Sequence, residues 1–200
     1  MSHGSQRLGR RARAFLAALA LIVPGSAGAN TQGDTQRFEQ AHEVAGVTLQ
    51  RVNTALYRYL FFDVYAAALY LAPGAGTAMA LDDGVARRLE VVYLRDIAAE
   101  DLVRAAQTVL ARNLDAVSLA SLSVRLERLH GWFRDVAAGD RIALDFVPGL
   151  GTTLEINGVR LGSIDGADFA RAYFSIWLGD APIDDDLRAA LLAPVAGSTR

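Results

Sequence analysis

From Tyr57 to Leu71 the chain runs through aromatic and aliphatic side chains almost without a break, interrupted by Arg58 and Asp63. A stretch so long and so apolar cannot lie on a surface. It predicts a central strand buried on both faces, at about Phe61–Leu71, and therefore a fold that covers both sides of a sheet. Pro73-Gly-Ala-Gly-Thr77 ends that strand. Before it, Val44 to Val52 alternates around Gly46 and predicts a first strand; after it, Arg87 to Leu94 alternates with Leu89, Val91 and Tyr93 on one face.

Two helices follow in the pattern. One opens at Ile97 and carries Leu102, Ala105, Ala106, Val109 and Leu110; the other carries Leu119, Leu122, Leu126, Leu129 and Phe133. Strands return at Asp140–Val147, Thr152–Ile156 and Val159–Ile164, the last two joined by Asn157-Gly158, a two-residue hairpin signal. An amphipathic helix from Asp165 to Leu178, closed by Gly179, and a short one from Asp184 to Leu192 complete the chain. Strands arrive in runs, with helices grouped between and after them. The class is α+β with a largely antiparallel sheet.

At the N-terminus, four arginines between Arg7 and Arg13 precede the apolar run Ala14–Val23, then Pro24-Gly25 and the small residues Ser26–Ala29. That order reads as a cleavable secretion signal, with cleavage expected after Ala29 and a periplasmic mature protein. The apolar run is about ten residues where a bilayer span needs roughly 20, so no permanent membrane anchor is expected. Residues 30–43 are polar and read as a flexible lead-in, 44–193 as one domain, and 194–200 as a tail.

Composition narrows the chemistry. After Ala29 the chain holds 16 arginines against 22 acids, which is no footprint for nucleic acid. It has no lysine and no cysteine, which excludes Schiff-base, thiol and Fe–S chemistry. Beyond the signal only His42 and His130 remain, too few for a histidine-built metal site, and no cofactor or metal is expected. There is no G-x-S-x-G, H-E-x-x-H or Walker loop, and Asp184-Asp-Asp186 reads as a solvated helix start.

Arg58 stands out, a guanidinium among apolar residues that needs an anion. One reading is an internal pair with Asp63 or Asp96. The other is that Arg58 and the Tyr65 hydroxyl receive a carboxylate or enolate at the mouth of an apolar pocket floored by Ala66–Ala68. Seven residues apart on one unbroken strand, the two would face opposite ways, so a shared site requires a turn or bulge near Tyr59-Leu60. Tyr93, Arg95 and Asp96 form a second polar cluster at a strand end, read as a structural Arg95–Asp96 pair or as further ligand contacts. Trp132 and Trp177 read as core.

The succession Phe61-Phe-Asp-Val-Tyr-Ala-Ala-Ala-Leu-Tyr-Leu71, Leu89-Glu-Val-Val-Tyr-Leu-Arg-Asp-Ile97, Pro148-Gly-Leu-Gly-Thr152, Asn157-Gly158 and Asp168-Phe-Ala170 leading to Phe174-Ser-Ile-Trp-Leu-Gly179 resembles the exported bacterial chalcone isomerase-like proteins over about residues 44–193. The resemblance implies an open-faced β-sandwich, a large antiparallel sheet covered by helices with a ligand cleft between. It implies cleft positions at Arg58 and Tyr65, with Arg51 the other arginine that could take the first place. The tyrosine, lysine and asparagine of the plant enzymes' catalytic helix would fall near Leu102, Ala105 and Val109, and a threonine near Ile176. None of these can handle a phenolate or a water. The expectation is a non-catalytic binder of a fatty acid or similar amphiphilic carboxylate, contacted by Arg58, Tyr65, Tyr93 and Arg95. The alternatives are an intramolecular lyase or isomerase acting on an unsaturated carbonyl compound, and a structural module with no ligand.

Overall fold

The structure, a computed structural model, describes residues 37–194. The expected signal segment, the first part of the lead-in and nearly all of the tail lie outside the described residues. Seven strands form one antiparallel sheet in chain order: β1 (Ala41–Val44), β2 (Val47–Tyr59), β3 (Phe62–Leu71), β4 (Arg87–Tyr93), β5 (Arg141–Val147), β6 (Gly151–Ile156) and β7 (Val159–Ile164). Helices α1 (Ala99–Asn113) and α2 (Ala116–His130) lie between β4 and β5, and α3 (Ala167–Leu178) and α4 (Asp185–Leu191) follow β7.

Alternation along the strands and the register between them sort side chains into rows across the sheet. On the helix-covered face Leu69, Leu89, Leu144 and Leu154 are successive cross-strand partners, each at most 2% exposed. Burying one such side chain contributes about 1.5–3 kcal/mol, so the row helps to tie the sheet to the helices over it. A parallel row runs Ala67, Val91, Ile142, Ile156. At the far side Leu71, Arg87, Phe146 and Thr152 form another, and α3 packs Phe174 against it.

The opposite face carries charge. Tyr70, Arg88 and Asp145 are cross-strand partners there, and Ala68 pairs with Glu90 beside them. Arg88 Nη1 donates to both Asp145 oxygens at 2.9 and 2.8 Å, and Glu90 is gripped by Arg141 and Arg88. Burial, only partly offset by Arg88, pushes the Asp145 carboxyl up to about 6.

His42 Nε2, on β1, comes within 3.0 Å of Glu90 on β4. In a flat sheet three strand spacings of about 4.8 Å would separate those strands, so the sheet curls over this face. The lead-in takes part: Phe38 is buried, and its carbonyl accepts from Arg51 Nη1 at 2.5 Å. Residues 37–43, expected to be part of a loose polar lead-in, are therefore a cover for the ionic row. Their polarity is what an ion-bearing face selects.

Local sequence accounts for the connections. Asn157 and Gly158 have φ of 52° and 77°, the pair of positive values that a two-residue hairpin between right-twisting strands needs. Asp184 caps α4 by accepting from the Leu187 backbone N–H at 2.7 Å. Gly162 on β7 lies directly under Trp132, and a Cβ there would come within 2.3 Å of the indole. The alanines do not form one floor: Ala67 faces the helices while Ala66 and Ala68 face the ionic side, all fully buried.

Candidate functional site

At one end of the helix-covered face the cross-strand row is aromatic. Tyr57 pairs with Tyr65 and Tyr65 with Tyr93, so β2, β3 and β4 each supply one phenol to the same side. The rings lie 4.9 and 5.9 Å apart by centroid. From above, α3 adds Trp177, whose Nε1–H donates to the Tyr65 hydroxyl at 3.2 Å, and Tyr173 beside it.

Indole nitrogen can only donate, so the Tyr65 oxygen is the acceptor in that bond and its own proton is left to give. Among the described residues no acceptor meets it, and none meets the Tyr93 hydroxyl. Burial, and next the Tyr93 phenol, hold Tyr65 well above the usual tyrosine range, and burial does the same for Tyr93 and Tyr173. These phenols are neutral donors at every physiological pH. They can receive an oxyanion but cannot act as bases.

Arg58 lies at the end of β2, its side chain 57% exposed, with Nε 2.6 Å from Asp63 Oδ1. The guanidinium has Asp63 as its anion and is otherwise open to solvent rather than enclosed by apolar residues. A turn at Leu60-Phe61 and a register shift between Tyr57 and Arg58 separate β2 from β3, so Arg58 and Tyr65 belong to different strands at the same end of the sheet. Arg95, half-buried just past β4, stacks over the Phe62 ring at 4.4 Å. It does not pair with Asp96, which instead accepts from the Ala138 backbone at 2.9 Å. Arg51 partners Tyr70 in register and holds Phe38, both on the ionic side of the sheet. The structure thus gathers Tyr65 and Tyr93 closely, sets Arg58 and Arg95 at the rim of the same end, and sends Arg51 elsewhere.

The sequence profile of the family described as chalcone isomerase-like matches residues 30–193. The chain belongs to the chalcone isomerase-like family. A search of curated proteins finds no match. Among solved structures the chain is similar to the crystal structure of a fatty-acid binding protein from Arabidopsis thaliana, with a TM-score of 0.58 at 14% identity, over 76% of this chain and 95% of that one. At that identity the likeness is one of fold, and it bears out the expected α+β architecture of a large curled antiparallel sheet covered by helices.

In this chalcone isomerase-like protein two features of the site, and one buried charge at the far end of the sheet, carry no signal in the sequence. Tyr57 joins the row only because β2 runs much further than its first alternating stretch. Trp177 reads as core by helical spacing, and packs as core, yet its one polar atom is spent on Tyr65. Arg87 is fully buried between the Phe146 and Phe174 rings, at 4.4 and 4.8 Å, and donates through Nη1 to the Asp82 and Val85 carbonyls. Its Nε and Nη2 meet no partner among the described residues, and burial lowers its pKa to about 10. Asn113 clamps the loop after α3 by bonding both the carbonyl and the N–H of Ala181.

Open volume is found away from the tyrosine row. A surface cavity of about 410 Å³ opens between the loop after β3 and the α3–α4 end, lined by Ala80, Leu81, Leu178 and Leu192 with Arg188 among them. Arg188 there donates to the Leu178 carbonyl at 3.1 Å.

Proposed function

We propose that this protein binds a fatty acid or similar amphiphilic carboxylate between its sheet and helices, without chemical turnover, and does so as an exported, periplasmic protein. The observation that carries the reading is the Tyr65 hydroxyl, buried in an apolar layer, oriented by Trp177 and left with a proton to donate. A carboxylate is the partner that such a donor lacks. The carboxylate would sit at Tyr65 and Tyr93, with Arg58 and Arg95 at the rim; Arg58 reaches it by exchanging Asp63 for the ligand. The family and the fold shared with a plant fatty-acid binding protein support the ligand class.

The flanking helix favours binding over catalysis. Leu102 and Val109 on α1 bring hydrocarbon to the core, and the half-buried Ala105 has no polar group, where proton transfer or phenolate contact would need one. Hydrocarbon suits an acyl chain. Native mass spectrometry of the protein isolated from its producing cells tests this: a co-purified species of fatty-acid mass is expected, while an empty protein that also takes up no added fatty acid would end the proposal.

A further inference from the structure

The hairpin between β2 and β3 presents Leu60, Phe61 and Phe62 at 73%, 95% and 46% exposure. Three consecutive large apolar side chains in water are an interaction signal, unlike the scattered exposed valines on α2. β3 and β4 pair in register as far as Tyr65, and the Leu94 N–H donates to the Val64 carbonyl at 2.9 Å, so the hairpin continues past the sheet end for Phe62 and Asp63, about 7 Å at the strand rise. The turn chemistry adds a second observation. Leu60 has φ of +56° at the first position of a two-residue hairpin loop, where glycine is the residue that fits. A leucine held there at a conformational cost, with its side chain in solvent, does nothing for the fold.

We infer that this tip docks the protein reversibly on a lipid bilayer, inserting Leu60 and Phe61 into the boundary between headgroups and acyl chains. A projecting tip fits a soft phase better than a protein surface, which needs about 800 Å² per partner, whereas a fully buried aromatic side chain supplies only about 150–250 Å². The flanks match headgroup depth: Tyr59 is half-buried at the base of the turn, and the Arg95 guanidinium lies on the Phe62 ring with its apolar stem behind it. Arg58 is already paired with Asp63, so apolar insertion and not charge is the main attraction. No helix among the described residues is long and apolar enough to cross a membrane, and the contact is peripheral.

The chain has no cysteine, which makes the test clean. Phe61→Cys carrying an environment-sensitive nitrobenzoxadiazole label is mixed with vesicles of phosphatidylethanolamine and phosphatidylglycerol, with Val117→Cys, 80% exposed on α2, labelled as the control. Label 61 should brighten and shift to the blue while label 117 stays unchanged. Leu60→Ser/Phe61→Ser should float with the vesicles about tenfold less than the parent chain or lower still. Equal flotation of the double variant, or a silent label at 61, overturns the inference. So does a label 61 response that depends on protein concentration without vesicles, since a second copy would then be the partner. If the double variant unfolds, the paired labels decide alone. None of these readouts involves a fatty acid, so they fail or succeed separately from the binding proposal.

Discussion

A hydroxyl and a turn residue hold most of the functional content at the scale of single side chains. Tyr65 is legible in the sequence as a polar tip in the most apolar segment, but its geometry is not, because the partner that orients it, Trp177, lies 112 residues away. Arg87 shows the reverse. The alternation that places Leu89, Val91 and Tyr93 on the core face also places Arg87 there, yet an arginine at a strand start reads as solvent-facing, and the two phenylalanines that bury it belong to distant elements. At Leu60 the positive φ sets a definite expectation. A non-glycine residue costs about 1–2 kcal/mol in that region, and glycine returns about half of the gain as unfolded-chain entropy. Leu60→Gly should therefore raise stability by about 0.5–1 kcal/mol, read as a higher denaturant midpoint at unchanged slope. A lower midpoint would mean that the leucine packs in a way its exposure does not reveal.

Among the elements, those with local punctuation were readable and those without were not. Asn157-Gly158 announces the β6–β7 hairpin, and the acids from Asp184 announce the start of α4. The β2–β3 turn carries no glycine, asparagine or aspartate, so the apolar run hides it, and the need for a break near Tyr59-Leu60 comes only from parity. β1 and the lead-in were missed because a strand that covers an ionic row is itself polar. That row yields a pH dependence. Folding lifts the Asp145 carboxyl to about 6 from an unfolded value of about 3.9, so the folded state binds the extra proton. The resulting stabilisation is complete below about pH 4, corresponds to about 3 kcal/mol, and is lost as the pH rises through about 6. Urea titrations from about pH 4 to about pH 7 should show the parent protein losing stability relative to Asp145→Asn across that window. A constant difference between the two would show that Arg88 keeps Asp145 ionised throughout.

For the molecule as a whole, the antiparallel α+β layout follows from runs of strands with grouped helices, and the curl accompanies strand twist and the two register shifts along β2. A binding cleft was expected beside the alanines, but their alternation sends them to both faces and fills the space, so a ligand at Tyr65 must part helix from sheet. The shortest covering element is α4, pinned over β2 by the Asn53 side chain through the Leu191 and Ala193 carbonyls at 3.0 and 2.8 Å. Titration of a fluorescent fatty acid into the parent protein and into Tyr65→Phe, a change that removes only the hydroxyl, tests whether this donor holds a carboxylate. Saturable binding by the parent is expected, with affinity about tenfold weaker for Tyr65→Phe, the worth of a hydrogen bond to a charged group. Binding that is absent in the parent, or equal in the two proteins, would contradict that role.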